Sequence, residues 1–209
     1  MADNKLEKYI LEHISEEGLL LEELFRKTHT SAVNPNMISG HLQGKILEMF
    51  VRMISPSRIL EIGTFTGYSA ICMAGALKEG GELHTIEIND ELSGLNEEFF
   101  RRSGFSGRII MHTGDAKTVI PALDQSFDMV FIDGDKREYS LYYDLVFDKT
   151  RSGGFIIVDN VLWGGKVVEE TSDPMTRGIQ DFNRKVKHDE RVENVILPVR
   201  DGLMIIRKQ

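Results

Sequence analysis

Two apolar stretches that have the pattern of buried strands each end in acidic residues. Phe127–Ile132 is followed by Asp133, and Phe155–Val158 is followed by Asp159 and Asn160. If the two strands are neighbours in a sheet, these side chains converge, because parallel strands present their carboxyl ends at one edge. Two carboxylates and an amide oxygen are hard ligands that suit Mg²⁺, Mn²⁺ or Ca²⁺ better than zinc. The joint pattern predicts a divalent metal site, although each acid alone could cap a helix.

Two further residues near these acids could act on a substrate. Lys136 lies three positions after Asp133, and on a turn that opens a helix it could reach a substrate oxygen at the metal. A nearby divalent cation favours the neutral form of a lysine, which a general base requires, whereas the alternative is a solvated surface lysine. Trp163, the only tryptophan, lies in a loop with Gly164 and Gly165. It could form a wall for an aromatic substrate, or it could pack the loop.

A glycine-containing loop follows the predicted strand Arg58–Ile62. Its Gly63 and Gly67 are four positions apart, whereas a dinucleotide site uses the G-x-G-x-x-G spacing to bring backbone amides onto a pyrophosphate. Glu61 would repel a phosphate, but it can accept a hydrogen bond from the amino group of a cationic ligand. The loop, with Thr64 inside it, therefore predicts a nucleoside that carries an amino acid rather than NAD. A plain strand-to-helix turn remains the alternative.

Acidic residues also follow the second and third predicted strands. Glu87 lies near the end of the run Glu82–Ile88, where a carboxylate can accept hydrogen bonds from both hydroxyls of a ribose, although a surface glutamate at a strand end is common. Asp115, with Ala116 after it, follows the strand Arg108–His112. Its carboxylate could accept from the exocyclic amino group of adenine or could cap the helix that follows. The residues alone leave both roles open.

The elements that must position these residues alternate between strands and helices after Pro56. The pattern predicts an α/β fold with a mainly parallel sheet and helices on both faces. Arg200-Asp201-Gly202 indicates a hairpin that makes the last strand antiparallel. The predicted elements not yet given are the helices 68–77, 90–103, 139–149 and 176–187, and the strands 192–199 and 203–207.

The chain is predicted to form one domain, 1–209, because no repeat or linker interrupts it. Residues 1–55 show helical periodicity, with a third helix expected from Pro35 to Ile54. These N-terminal helices are expected to form part of the active-site cover, and 56–209 the α/β core. The segment 1–14 lacks the uncharged apolar stretch of a signal peptide, and no stretch could span a bilayer. A cytoplasmic location fits these features.

Composition and missing motifs exclude several classes. The formal net charge of −8 argues weakly against nucleic acid as a bulk partner. Cys72 is the only cysteine, so the chain forms no internal disulfide, and its apolar neighbours predict core packing. The six histidines show no ligand spacing and no G-x-S-x-G elbow occurs, so zinc chemistry and serine hydrolysis have no support.

In combination these motifs resemble the cation-dependent O-methyltransferases, the family of catechol O-methyltransferase and caffeoyl-CoA O-methyltransferase. The resemblance extends from Met37–Gly44 to Pro198–Leu203 and is nearer the caffeoyl-CoA and bacterial branch. It implies a Rossmann-like S-adenosylmethionine (SAM)-dependent methyltransferase fold with seven strands and an N-terminal helical extension, and usually a homodimer. Gly134-Asp135 departs from the bulky pair of the mammalian catechol enzyme, so the wall of the acceptor pocket differs.

The resemblance also implies roles for individual residues. Lys136 and Asp133 are the predicted catalytic residues, and Lys136, Asn160 and Trp163 the predicted substrate-binding residues. The metal ligands are Asp133, Asp159 and Asn160, and the metal is Mg²⁺, with Mn²⁺ or Ca²⁺ as alternatives. The SAM-binding residues are Ser39, Glu61, Gly63, Thr64, Gly67, Ser69, Glu87, Asp115, Ala116 and Asp133.

The predicted reaction is O-methylation of a small hydroxylated aromatic acceptor with two adjacent hydroxyls. The metal orients and acidifies these hydroxyls, and Lys136 takes the proton. One alternative is a tRNA hydroxyuridine O-methyltransferase, since bacterial relatives of this family include such enzymes. A noncatalytic nucleoside-binding protein is another, disfavoured because Lys136 and all three ligand positions are present. The spacing of Gly63 and Gly67 disfavours a NAD oxidoreductase.

Overall fold

The computed structural model describes residues 4–209, and it confirms the α/β fold with a seven-stranded sheet. The helices are α1 Asn4–His13, α2 Leu19–Ser31, α3 Gly40–Ile54, α4 Tyr68–Ala76, α5 Ser93–Ser103, α6 Ala116–Ala122, α7 Tyr139–Phe147 and α8 Pro174–Lys187. The strands are β1 Arg58–Ile62, β2 Glu82–Glu87, β3 Ile109–Thr113, β4 Phe127–Ile132, β5 Thr150–Val158, β6 Val192–Leu197 and β7 Leu203–Lys208.

The strand order of the sheet is β3-β2-β1-β4-β5-β7-β6. Strand β4 pairs in parallel with both β1 and β5, and β2 pairs in parallel with β3. Strand β7 runs antiparallel to β5 and to β6, as the hairpin signal at residues 200–202 predicted. The side chains of β4 are nearly all apolar and buried, as expected of a strand that is covered on both faces. Its carboxyl end is therefore held rigidly, and so is the start of the segment that follows it.

Some element boundaries differ from the prediction. Strand β5 begins at Thr150 rather than Phe155, because Thr150 pairs with Phe127 although two glycines follow in the chain. The helix expected from Pro35 is divided: Pro35–Met37 forms a separate 3-10 turn, and α3 begins at Gly40, which has a positive φ of 72°. The 3-10 turn at 136–138 opens α7, as expected for Lys136, whereas the 3-10 turn at 163–168 was not predicted.

By their internal contacts the residues divide into two compact units. Of the described residues, the first unit comprises 4–57 together with Thr64–Thr113, and the second comprises Arg58–Gly63 and Gly114–Gln209. The first unit contains α1 to α5 with β2 and β3, whereas the second contains the other strands with α6 to α8. Cys72 is buried in α4 of the first unit, as its apolar neighbours predicted.

The N-terminal helices predicted within residues 1–55 are present as α1, α2 and α3. Met1, Ala2 and Asp3 lie outside the described residues. The role of this segment as an active-site cover, and the assignment of 1–209 to one domain, stay predictions. Among residues 4–209, no helix is both long enough and apolar enough to cross a membrane.

Candidate active site

Asp133 and Asp159 extend two neighbouring strands of the second unit. The β4–β5 register pairs Ile132 with Val158, so the two acids occupy the next position on each strand. The Asp159 N–H still donates to the Ile132 carbonyl at 3.0 Å, which continues the ladder past the strand ends. Neighbouring strands lie about 4.8 Å apart. The predicted convergence of these two residues is therefore present in the backbone.

Asn160 and Asp159 are tied together by their local geometry. The Asn160 N–H donates to Asp159 Oδ1 at 2.7 Å, and Asn160 has a left-handed φ of 58°. Asp159 is only 4% exposed, and the hydroxyl of Tyr139 donates to its carbonyl at 3.1 Å. Burial raises the pKa of Tyr139 well above its usual value, and the charges of Asp133 and Asp159 raise it further. Tyr139 therefore lies close to both carboxylates.

The donor set fits a hard cation only if Asn160 takes part. Among residues 4–209, no group of three or more His, Cys, Asp or Glu side chains is arranged to hold a metal. Asp133 and Asp159 supply two carboxylates, and the amide oxygen of Asn160 is the third protein donor that the sequence places beside them. An all-oxygen set with few protein ligands suits Mg²⁺, which keeps several of its waters.

Lys136 points at Asp133. It lies in the 3-10 turn Lys136–Glu138, and its Nζ donates to Asp133 Oδ1 at 2.7 Å and to the Gly134 carbonyl at 3.2 Å. The two side chains are 14% and 16% exposed, so the pair is largely shielded from water. Nζ also lies 5.4 Å from the centre of the Tyr139 ring. The predicted base is thus held beside a predicted ligand and is not a solvated surface lysine.

The turn that carries Lys136 is stabilised by an ion pair within it and by close packing at Gly134. The Asp135 carboxylate accepts from the Arg137 N–H at 3.0 Å and pairs with its guanidinium, which lowers the pKa of Asp135. A Cβ at Gly134 would come within 2.9 Å of the Tyr142 ring and 3.3 Å of Ile62. A larger residue at Gly134 would therefore push the turn away from the strands that position it.

Trp163 lies in a loop with unusual backbone geometry. Its φ is 46°, and Gly164 and Gly165 also have positive φ values, of 61° and 83°. The side chain is partly buried, and among the described residues its indole Nε1 has no hydrogen-bond partner. Asp201 holds this loop, since its carbonyl accepts from the Leu162 N–H at 2.9 Å and its carboxylate accepts from the Gly164 N–H.

In the first unit, Glu87 organises the loop at 64–67. Its Oε2 accepts from the Phe65 N–H at 2.6 Å and its Oε1 from the Asn89 N–H at 2.9 Å, and the residue is 8% exposed. Each carboxylate oxygen has a second lone pair that can accept from a ligand hydroxyl. Ile88, directly after Glu87, is 72% exposed.

The loop itself is packed tightly. Thr64 Oγ1 lies 2.5 Å from Thr85 Oγ1, and a Cβ at Gly67 would approach Phe100 to 2.6 Å. Asn96 donates to the Phe65 carbonyl at 3.0 Å, whereas its Oδ1 is buried and lacks a partner within the described part of the chain. Sequence reasoning missed Phe65 and Asn96, because nothing local links helix α5 to the loop. Two predicted residues of this unit, Ser39 and Ser69, are also buried.

Glu61 and Gly63 belong to the second unit. Glu61 is fully buried in β1, at the register position opposite Phe131. Gly63 has a φ of 99°, and a Cβ there would overlap the carbonyl oxygen of Asp133. Gly63 is therefore required where the chain leaving β1 passes the backbone of Asp133.

Asp115 acts as a helix cap in the structure. Its Oδ1 accepts from the Lys117 N–H at 2.9 Å at the start of α6, and its Oδ2 lies 3.3 Å from Lys117 Nζ. Ala116 is buried. The capping role that the sequence left open is thus present, and a contact between Asp115 and adenine stays a prediction.

The chain is similar to known O-methyltransferases over most of its length. The family model described as O-methyltransferase matches residues 11–209. A catechol O-methyltransferase from Niastella koreensis is 34% identical over 171 residues, covering 79% of this chain and 75% of that protein. Caffeoyl-CoA O-methyltransferase 1 from Eucalyptus globulus is 32% identical over 181 residues, covering 79% and 72%.

Solved structures show the same fold. An O-methyltransferase from Bacillus cereus, in complex with SAH, superposes with a TM-score of 0.92 at 27% identity, covering 98% of this chain and 97% of that one. The O-methyltransferase TomG from Streptomyces achromogenes, in complex with SAM, also gives 0.92, at 28% identity and with coverage of 99% and 96%.

Proposed function

Because the chain belongs to the O-methyltransferase family and is a SAM-dependent O-methyltransferase, we propose that it uses a divalent cation to methylate an acceptor with two adjacent hydroxyls. The acceptor is a small hydroxylated aromatic molecule of the catechol or caffeoyl-CoA type, and the working form is a homodimer in the cytoplasm. The observation that carries the proposal is the placement of Asp133 and Asp159 beyond paired strand ends, with Lys136 on Asp133.

The cation would be held by Asp133, Asp159 and Asn160. Two carboxylates on adjacent strand ends repel one another, and a divalent cation offsets that repulsion. Mg²⁺ suits this oxygen set best, and Mn²⁺ or Ca²⁺ would also fit it. When bound, the cation supplies Lewis acidity that makes an acceptor hydroxyl easier to ionise.

Lys136 acts as the general base. In its neutral form, which a divalent cation held by Asp133 would favour, its Nζ can accept the proton of the attacking hydroxyl, and the hydrogen bond to Asp133 keeps that atom at the end of β4. The acceptor oxygen then attacks the methyl carbon of SAM, the carbon–sulfur bond breaks, and the sulfonium becomes a neutral thioether. Trp163 would form one wall for the aromatic ring. Positioning supplies much of the acceleration.

The proposed SAM-binding residues are Glu87, the pair Asp115 and Ala116, and a set that includes the glycine loop. Glu87 accepts hydrogen bonds from the ribose hydroxyls, and the backbone N–H groups of Phe65 and Asn89 hold its carboxylate in place. Asp115 and Ala116 border the adenine. The methionine part is bound by a set that comprises Ser39, Glu61, Gly63, Thr64, Gly67 and Ser69, with Asp133 nearby.

A screen with methyl-labelled SAM tests this proposal. The acceptors are phenols with adjacent hydroxyls, their CoA esters and bulk tRNA, each assayed with Mg²⁺, with EDTA, and with excess Mg²⁺ added after EDTA. We expect label on a diol phenol or CoA ester, its loss in EDTA and its return with Mg²⁺. Label on tRNA alone would reject a small acceptor, and full activity after verified metal removal would reject the cation.

A further inference from the structure

Helix α8 holds both ends of the loop that carries Trp163. The side-chain amide of Gln180 donates to the Val167 carbonyl at 3.0 Å and to the Glu169 carbonyl at 2.9 Å. One turn later, the amide of Asn183 donates to the Val161 carbonyl at 2.8 Å. Residues three apart lie on the same face of a helix. One face of α8 therefore binds carbonyls before and after Trp163.

The loop needs such anchors because its own backbone is strained. Trp163, Gly164 and Gly165 have positive φ values in succession, and a bulky residue such as tryptophan rarely adopts that conformation. Such backbone persists only when its surroundings fix it. The turn at Asp201 holds one side of the loop, and the amides of α8 hold its two ends.

The same helix touches the turn that carries Lys136. A Cβ at Gly178 would overlap the Lys136 carbonyl oxygen, and it would lie 2.8 Å from the Arg137 Cα. Only glycine allows α8 to approach this backbone so closely. Asp173 fixes the start of the helix, because its carboxylate accepts from the N–H and the hydroxyl of Thr176 at 3.0 Å and 2.6 Å. One rigid element thus contacts the segments of both Lys136 and Trp163.

We propose that α8 positions the acceptor: Gln180 and Asn183 are positioning residues for the Trp163 loop, and Gly178 is a positioning residue for Lys136. The inference rests on the proposed function, in which Lys136 is the base and Trp163 a wall for the acceptor. A helix is stiff along its axis, so the distance along α8 between Gly178 and the amides of Gln180 and Asn183 is fixed. This distance sets how far Lys136 is from the Trp163 loop, and an acceptor ring is oriented between the two. That orientation decides which of two adjacent hydroxyls faces the base.

Trp163 provides a direct probe, because it is the only tryptophan in the chain. Gln180→Met and Asn183→Leu remove the amide donors at nearly constant side-chain size. Asp181→Asn is the control, since Asp181 lies on the same helix, its side chain is 65% exposed and it pairs with Arg184, which is exposed as well. We expect acrylamide to quench the fluorescence of Trp163 more in the two variants than in the wild type or the control.

The same variants should change how the acceptor is used. We expect kcat/KM for a diol acceptor to fall about five- to tenfold in each, the scale of one or two lost hydrogen bonds. The decrease should come mainly from KM, and the ratio of the two isomeric methyl ethers should shift. The Kd of SAM should not change. If Gln180 and Asn183 had a purely structural role, the product ratio would stay unchanged.

Gly178→Ala tests the other end of the helix. The added methyl pushes the Lys136 backbone away, so kcat should fall while the acceptor KM and the quenching of Trp163 stay at wild-type values. The matched control is Gly94→Ala, because Gly94 is also helical and a Cβ there meets nothing within 4 Å.

The outcomes separate this inference from the proposed function. Quenching of Trp163 needs no acceptor, so it reports on α8 even if Lys136→Met proves fully active and the base mechanism is rejected. Unchanged quenching in both amide variants would overturn the inference. Increased quenching with unchanged acceptor KM and product ratio would also overturn it. If one amide variant does not fold, the other decides, since the two residues hold opposite ends of the loop.

Discussion

The Nζ atom of Lys136 lies 2.7 Å from Oδ1 of Asp133, and both side chains are largely buried. The proposed base and the proposed cation site therefore share one residue. Asp133 also follows directly from β4, whose register against β5 places Asp159 alongside it. A change at Lys136 or Asp159 should affect chemistry more than cofactor binding.

Lys136→Met should lower kcat by at least about 10²-fold, the usual scale for loss of a general base. The Kd of SAM should change little, because Lys136 is a proposed base and acceptor-binding residue and is not one of the proposed SAM-binding residues. Raising the pH should partly restore kcat, since hydroxide ionises more of the acceptor. Steady-state kinetics and calorimetry measure both quantities. Lys185→Met, which removes an ion pair with Asp144, is the control. A fully active Lys136→Met enzyme would exclude lysine as the base.

Asp159→Ala and EDTA treatment should each remove nearly all methylation. Excess Mg²⁺ should restore activity to the EDTA-treated wild type but not to the variant, because the variant lacks a ligand. Asp181→Ala, an exposed acid on α8, serves as the matched control. Circular dichroism should show that Asp159→Ala keeps its fold. Activity of Asp159→Ala close to that of the control would mean that no essential cation binds there.

The sequence predicted the chemistry-bearing ends of β4 and β5 because the signal is local. A strand with five apolar residues out of six ends at Ile132, and an acid follows at once. The start of β5 was predicted five residues late, since Gly153 and Gly154 favour a turn. Pairing between Thr150 and Phe127 overrides that preference, and such long-range pairing leaves no mark on the local pattern.

The contacts that hold the site in place could not be predicted for the same reason. Asn96 binds the Phe65 carbonyl across 31 positions, and Gln180 binds Val167 across 13. Both are ordinary polar residues on helices, and nothing in their spacing distinguishes them from solvated side chains. Asp115 illustrates the reverse case, because its local capping role was one of two that the sequence allowed.

Glu87→Ala should weaken SAM binding by about 1.5–3 kcal/mol, the scale of hydrogen bonds to a charged acceptor. The substitution also removes the acceptor of the Phe65 and Asn89 backbone N–H groups, so part of the lost affinity comes from the loop at 64–67 losing this anchor. Isothermal titration calorimetry gives the Kd directly. Glu97→Ala, an exposed change in the following helix α5, should leave the Kd unaltered. Unchanged affinity in Glu87→Ala would assign the ribose to other residues.

Asp189→Asn should destabilise the fold at neutral pH but not in acid. Arg191 and the hydroxyl of Tyr143 both donate to the carboxylate, and together they hold the pKa of Asp189 far below its usual value. A lowered folded-state pKa stabilises the protein above the unfolded pKa of about 4, and this contribution is lost as the pH falls toward the folded value. We expect a loss of about 1.5–3 kcal/mol at pH 7.

Urea unfolding at several pH values measures this effect. The difference in the free energy of unfolding between wild type and Asp189→Asn should be constant from pH 7 to about pH 5 and shrink below that. Asp181→Asn, whose partner Arg184 is exposed, should show little difference at any pH. A difference that stays constant into acid would mean that packing, and not the charge of Asp189, stabilises this turn.

An acceptor with two adjacent hydroxyls should be methylated far faster than its mono-hydroxy analogue. Loss of one hydroxyl removes a bond to the cation and the orientation that this bond gives. The loss should therefore lower kcat/KM by orders of magnitude rather than by a factor of two. Initial rates for a matched pair of phenols, at saturating SAM and Mg²⁺, provide the comparison.

Combining the acceptor pair with variants shows which residues are responsible. In Lys136→Met both acceptors should slow, yet the preference for the diol should remain, because Asp159 and Asn160 still offer their oxygens to the cation. In Asp159→Ala the preference itself should disappear along with most of the activity. If mono-phenols react as fast as diols in the wild type, two-point binding of the acceptor is wrong, although the chain is still an O-methyltransferase.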